Sequence, residues 1–361
     1  MATATVHTSA KYKKKILWFW QSNSTNIHDE KEKQQQWKRY SDFENDHIEE
    51  AYQRKEKKVP LNDYVINFEY RMQQHKNGNQ MAIKREEIDF SQCVREERFL
   101  YPVRATSAKS FEKEYDKSDF ISQWRRKEHK KTEFDNEHGP NNENRATAEL
   151  AAQEEGRLIN KEFDAQRMAE QLRSCKHDKE IGQCVARLYS ASSFLSELVN
   201  STLRNDDMSK LDTLGPFCWL LDHRLGWNEG GWDCHVYRGM TLTDEMIEEY
   251  KQAIGQNIIW PAFTSTTLNR QVAEFYCANT LFIIDIQAGQ FWRRSNISGI
   301  SLYPHEEELL LTTQYSFRVN NVEYDSINGK YLIYMTETGM HSSTNGGKTF
   351  FWDSDKIIGE Q

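Results

Sequence analysis

Pro304-His305-Glu306-Glu307-Glu308-Leu309-Leu310 sets three carboxylates directly before an aliphatic run. Two upstream segments, Val236-Tyr237-Arg238-Gly239 and Phe263-Thr264-Ser265-Thr266-Thr267, also place polar chemistry at the edge of an apolar stretch. Around them, short β-branched and aromatic runs predict strands over 234–237, 258–263, 281–286, 307–311, 317–324 and 330–335. Helices are predicted over 244–253 and 269–278. Ahead of the strands, apolar residues recur at helical spacing: Ile181, Cys184, Val185, Leu188 and Tyr189, then Phe194 to Leu203 after a Ser192-Ser193 cap, then Leu214 to Leu225. Helices first and strands later predict an α+β fold rather than alternating β/α units. No GxGxxG supports a Rossmann nucleotide site.

Further out, residues 156–340 carry most of the aliphatic content and form one predicted domain. Residues 91–155 are mostly charged and read as a partly helical linker. Partial helices are expected around 111–131, a turn at His138-Gly139-Pro140-Asn141, and one long helix over 147–173. Residues 9–90 form a second domain rich in Trp and Tyr, and 341–361 a tail. In that second domain Ile16-Leu17-Trp18-Phe19-Trp20 reads as a strand with Trp18 and Trp20 on one face. A short helix is predicted over Asp46–Arg54, and a hairpin pairs Tyr64–Phe68 with Met81–Arg85 around Asn77-Gly78. The expected shape is a small curled sheet against one helix.

A length of 361 residues suits two domains and a connection. Aromatics at 12% supply enough apolar area to argue against full disorder. The net charge of −8 offers no general nucleic-acid footprint, so direct DNA binding is not expected. The first residues show no secretory signal, and no apolar run reaches the roughly 20 residues of a membrane helix. The expected location is intracellular, cytoplasmic or nuclear, with no membrane contact. Six cysteines, none in a CxxC pair, point to reduced thiols and to no metal site.

Singly, an arginine after a strand is a surface charge, a Thr/Ser run is a turn and three glutamates are a solvated loop. Together, in this order, the three segments resemble the Arg-Ser-Glu class of arginine-specific mono-ADP-ribosyltransferases, over about residues 175–335. The helical text ahead of them resembles the helical lobe of the vertebrate and rotifer types. The fold implied has a helical lobe and a split mixed and antiparallel β core. The resemblance implies an NAD(P)(+)–protein-arginine ADP-ribosyltransferase, with NAD as substrate, no metal and a protein arginine as acceptor. Cleaving the nicotinamide–ribose bond spreads positive charge over the ribose, as in glycoside hydrolysis. A carboxylate beside that ring lowers the barrier, and Glu308 matches that role. Glu306 would share its face in an extended segment, orienting and deprotonating the acceptor, with Glu307 pointing away. Arg238 would hold a phosphate or ribose oxygen, and Gly239 would let the backbone approach the nicotinamide. Ser265 would position Glu308, Ser265 and Thr266 would contact NAD, and Tyr303 would sit on the acceptor loop. Thr267 stands where the family carries Ser. Arg rather than His at 238 disfavours the polymer-forming class. Two alternatives use the same text: an NAD glycohydrolase, and a catalytically silent ADP-ribose-binding protein.

Trp18-Phe19-Trp20-Gln21, Trp37 to Tyr40, Ile48 to Tyr52, Tyr64 to Met72 and Ile83-Lys84-Arg85 resemble a WWE domain. That resemblance implies binding of ADP-ribose or poly-ADP-ribose, or contact with a protein partner. By position, Trp20, Trp37, Tyr64 and Gln73 are the candidate contacts, with aromatic faces to stack an adenine. Met81 stands where some members carry the binding arginine, and Arg85 or Lys84 is the candidate substitute. The bland reading makes Trp18, Trp37 and Tyr64 core aromatics.

Overall fold

A computed structural model describes residues 14–22, 36–89, 95, 120–121, 123–124, 126–127, 148–149, 152–225, 233–277, 279–287 and 294–338. The turn expected at 138–141, the tail, and most of 111–131 lie outside these residues.

The N-terminal domain is a six-stranded sheet in the order β2-β1-β6-β5-β4-β3 with one helix, α1, packed on it. Its strands are β1 (Lys14–Ser22), β2 (Gln36–Arg39), β3 (Lys58–Pro60), β4 (Tyr64–Asn67), β5 (Met72–His75) and β6 (Gln80–Asp89). Trp18, Tyr40, Ile48, Ala51, Val59, Ile66 and Ile83 form its core. Helix α1 runs Asp42–Gln53, four residues ahead of its expected start. Ser41-Asp42-Phe43-Glu44 is a capping box: the Ser41 hydroxyl accepts from the Glu44 amide, and the Glu44 carboxylate accepts from the Ser41 amide. The hairpin differs too. Strand β6 pairs with β5 across Asn77-Gly78, and β4 pairs with β5, so the expected β4–β6 partnership is interrupted by one strand. Met72-Gln73-Gln74-His75 is too polar to announce itself as a strand.

The second domain begins with helices α2 (Glu162–Ser174), α3 (Asp178–Ser190), α4 (Phe194–Asn205) and α5 (Leu211–Leu225). The long helix expected over 147–173 is broken. Asn160 takes a left-handed backbone (φ 58°), and α2 starts afresh two residues later, leaving Leu158 60% exposed. An eight-stranded sheet follows, in the order β11-β12-β9-β7-β10-β14-β13-β8. The strands are β7 (Cys234–Met240), β8 (Asn257–Trp260), β9 (Thr264–Thr267), β10 (Thr280–Ile286), β11 (Arg294–Asn296), β12 (Glu308–Leu311), β13 (Tyr315–Asp325) and β14 (Lys330–Glu337). Helix α6 (Asp244–Gln252) follows β7, and α7 (Arg270–Tyr276) follows β9. The single strand expected over 258–263 stops at Pro261, which cannot donate to a ladder. Residues 261–263 form no strand, and the next one, β9, opens at Thr264 on the opposite side of the sheet. Two apolar cores result, one between the helical lobe and Phe263 and Leu310, the other between α6 and the sheet.

The two domains pack on each other. Phe43 of α1 enters the helical-lobe core, and Phe163 of α2 packs on the N-terminal core. The Asp42 amide donates to the Ser192 carbonyl at 3.0 Å, and the Ser192 amide donates back to the Asp42 carboxylate at 2.8 Å. None of the described helices is long and apolar enough to cross a membrane.

Candidate active site

Three adjacent strands assemble the site. Arg238 lies on β7, Ser265 and Thr266 on β9, and Glu308 opens β12. In the β9–β12 ladder Glu308 faces Thr267 and Leu310 faces Ser265, so Ser265, Thr267 and Glu308 share one face. Arg238 Nη1 donates to the Ser265 carbonyl at 2.6 Å, tying β7 to β9 beside their single bridge at Tyr237 and Thr267. The Thr266 hydroxyl donates to the Leu309 carbonyl at 2.6 Å. Arg238, Gly239, Ser265, Thr266, Glu306 and Glu308 all line one cavity, with about 280 Å³ of empty space.

Glu306 reaches this cavity by a different route from the expected extended segment. Pro304–Glu306 is a 3-10 turn, and Glu307 takes a left-handed conformation (φ 46°) before β12 begins. The Glu307 carboxylate turns outward and accepts from Asn269 Nδ2 at 3.2 Å. The turn, rather than strand alternation, aims Glu306 and Glu308 at the same space. Both are buried, 2% and 1% exposed. Two such carboxylates need cationic or hydrogen-bond partners. Tyr276 of α7 donates its hydroxyl to Glu306 Oε1 at 2.7 Å. Burial raises the Tyr276 phenol, and the adjacent Glu306 charge raises it further.

The cation is Arg95, from the segment read as linker. Its Nη2 donates to Glu306 Oε2 and, at 2.8 Å, to Glu308 Oε2, while Nη1 donates to the Ser190 carbonyl at 3.0 Å. Burial alone would lower the Arg95 pKa, but the charges of Glu306 and Glu308 raise it well above its ordinary value. Sequence reading could not single out Arg95, since Arg95-Glu96-Glu97-Arg98 looks like any solvated charge run. Tyr276 carried a weak signal: it follows Val272 and Ala273 by one turn on the helix after the Ser265 segment.

Gly239 lacks a side chain for a reason nearer than any ligand. A Cβ there would stand 2.2 Å from the Ala273 carbonyl and 2.7 Å from the Cys277 amide, so α7 occupies the space. Tyr303 is not presented on an open loop. It is wholly buried, its hydroxyl donating to the Asp42 carboxylate (2.8 and 2.9 Å to the two oxygens) and accepting from Arg39 Nη2 at 2.8 Å. Lys15, Arg39 and Arg95 all stand over its ring, at 4.8, 5.7 and 5.2 Å from the centroid. The N-terminal sheet covers the expected acceptor loop.

The five aromatic and polar residues expected to bind in the N-terminal domain do not share a surface. Trp20 and Tyr64 pack on the core that α1 covers. Gln73 is buried beside them, accepting from the Tyr40 hydroxyl at 2.6 Å and donating to Met81 Sδ at 3.3 Å. Trp37 lies on the opposite face, where Lys84 stands 4.7 Å above its ring and 5.0 Å above that of Phe19. Arg85 is held by Glu49 through two hydrogen bonds of 2.9 and 2.7 Å. Among the described residues no cluster of His, Cys, Asp and Glu could hold a metal ion.

Both halves of the chain are similar to known proteins. A WWE domain model matches residues 16–85. A chicken (Gallus gallus) erythroblast NAD(P)(+)–arginine ADP-ribosyltransferase is 30% identical over 113 residues, which cover 31% of this chain and 34% of that protein. A Mycobacterium avium (strain 104) protein carrying the name of an NAD(+)–arginine ADP-ribosyltransferase is 33% identical over 104 residues, covering 28% of this chain and 12% of its own. The chain thus spans 34% and 12% of the length of these curated relatives. Among solved structures, the ADP-ribosyltransferase HopU1 of Pseudomonas syringae pv. Tomato DC3000 aligns at 21% identity over 48% of this chain and 87% of its own, with a TM-score of 0.39. The NAD:arginine ADP-ribosyltransferase family model matches residues 106–343, two thirds of the sequence, and the chain belongs to that family.

Proposed function

We propose that the chain moves ADP-ribose from NAD to a protein arginine and releases nicotinamide. One observation carries this reading: Glu306 and Glu308 converge, in a cavity also lined by Arg238 and Ser265, on a guanidinium nitrogen. A site for water as acceptor has no need of a second buried carboxylate aimed at a guanidinium. In this reading NAD binds along β7 and β9. Arg238 offers its fork to a phosphate or ribose oxygen, Ser265 and Thr266 line the nicotinamide end, and Glu308 offsets the charge that develops on the ribose. Glu306, with Tyr276 on its other oxygen, holds the acceptor guanidinium and takes a proton as it attacks. An arginine stays protonated near neutral pH, its pKa above about 12, and is a poor nucleophile without such help.

The N-terminal WWE domain serves as the interaction module, for ADP-ribose, poly-ADP-ribose or a protein partner. Cys184, Cys218, Cys234 and Cys277 are free thiols among the described residues, which suits action inside a cell.

The test is Glu306→Gln. Nicotinamide release is measured beside label incorporated into poly-arginine. Transfer is expected to vanish while much of the NAD cleavage persists. Equal loss of both activities removes Glu306 from the acceptor role. Free ADP-ribose as the sole wild-type product, with every acceptor, makes the protein an NAD glycohydrolase instead.

A further inference from the structure

Arg95 is a strange residue to find at the centre of this site. It is 2% exposed, it comes from outside both domain cores, and its guanidinium sits on Glu306, the carboxylate assigned above to the acceptor. Its anchoring rests on Nη1 at the Ser190 carbonyl and Nη2 at the two carboxylates, while among the described residues its Nε has no partner. Ser190 closes helix α3, so its carbonyl belongs to the helix end that favours a cation. The Tyr303 ring supports the guanidinium from one side at 5.2 Å. These contacts describe a cradle for one arginine side chain: a helix end for one nitrogen, an aromatic face, and the proposed acceptor carboxylate for the other nitrogen.

We propose that Arg95 is an internal acceptor, ADP-ribosylated in cis by the chain's own active site. This rests on the transferase reading above. Bound NAD takes Glu308 for its ribose, and Arg95 Nη2 keeps Glu306. The C1′–nitrogen bond to nicotinamide breaks, and its electron pair leaves on neutral nicotinamide. A new C1′–Nη2 bond forms, and the proton shed by Nη2 passes to Glu306 and then to solvent. NAD and the protonated arginine become ADP-ribosyl-arginine, nicotinamide and one proton, with no other reactant. Until it is modified, Arg95 also competes with any arginine offered from outside.

The experiment uses the full chain, wild type and Arg95→Lys, with labelled NAD, with and without the small guanidine agmatine. Lysine keeps a positive charge between the two carboxylates, which protects folding. Wild type is expected to carry label at Arg95 by peptide mapping, with a first-order rate constant that stays flat over a tenfold dilution of protein. Arg95→Lys is expected to lose that label. Should Arg95→Lys fail to fold, the wild-type map and dilution series decide alone. Labelled agmatine with no label on Arg95 overturns the proposal and leaves the transferase reading standing. So does a self-labelling rate that falls with dilution, or self-label that persists in Arg95→Lys. No nicotinamide release and no labelled agmatine from either protein overturns the transferase reading, and this proposal with it.

Discussion

At the scale of single residues, the strand-edge positions were legible and their contacts were not. Arg238, Ser265 and Glu308 could be placed at strand ends because each follows or opens an apolar run, while their roles came from the family resemblance. Glu306 could be read only by analogy, because its aim depends on a left-handed Glu307 that the text Glu-Glu-Glu does not announce. Glu308→Gln keeps size and removes charge. Turnover should fall about 100-fold or more, as when one electrostatic stabiliser is removed, with little change in NAD affinity. Nicotinamide release and acceptor labelling should fall together, since Glu308 acts before the acceptor is chosen; near-normal turnover would remove it from this role. Gly239→Ala tests a different claim. The new Cβ meets α7 backbone at 2.2 Å, which cannot rotate away. Overpacking of this kind costs about 1–3 kcal/mol, and α7 also carries Tyr276. A lower melting temperature and lower transfer activity should appear together. An unchanged melting temperature would mean that α7 can shift freely.

At the scale of elements, binary pattern located most helices and strands, while capping and breaks decided their ends. Helix α1 was read four residues short because Asp42 and Glu44 look solvent-facing, yet both are buried at a domain junction. The same junction explains Asp164 in the first turn of α2. Its Oδ1 accepts from the Ser41 hydroxyl at 2.6 Å, while its Oδ2 has no partner among the described residues. Burial, and then the nearby charge of Glu44, push its carboxyl up to about 8. A raised carboxyl pKa means that the folded protein holds a proton the unfolded chain has lost. The associated stability is therefore complete below the unfolded value of about 3.9 and is lost as pH rises towards 8. Asp164→Asn mimics the protonated form at every pH. Its melting temperature should exceed that of wild type at pH 8, and the two should converge near pH 4. If wild type is the more stable at pH 8, Asp164 is ionised there and the helix N-terminus holds it so.

At the scale of the whole molecule, two domains were legible and their joint was not. The sequence text offers Asp42 as one acid among many, and Tyr303 as a loop residue. In three dimensions they meet, and Lys15, Arg39 and the Ser192 amide converge on the same carboxylate at 3.3, 2.7 and 2.8 Å. Burial would raise the Asp42 carboxyl, but Arg39, Lys15, Ser192 and Tyr303 together bring it below its ordinary value. The sign is thus opposite to that of Asp164. This stability is present above an unfolded pKa of about 3.9 and is lost as pH falls below it. Arg39 is also buried, its side chain 7% exposed, so Asp42→Asn removes the carboxylate paired with it at 2.7 Å inside the joint. Breaking a buried pair from one side costs about 3–5 kcal/mol. The cost falls on the interface that couples the domains, not on either core. Wild type should therefore unfold near neutral pH in one calorimetric transition. Asp42→Asn should show two, the WWE domain separating from the transferase, and wild type in acid should move towards that behaviour. A single transition at an unchanged temperature in the variant would mean that Phe43 and Phe163 hold the domains together without the ionic joint. Tyr303 lies under that joint and against Arg95, so loosening it should also raise the rate at which the active site modifies an acceptor from outside.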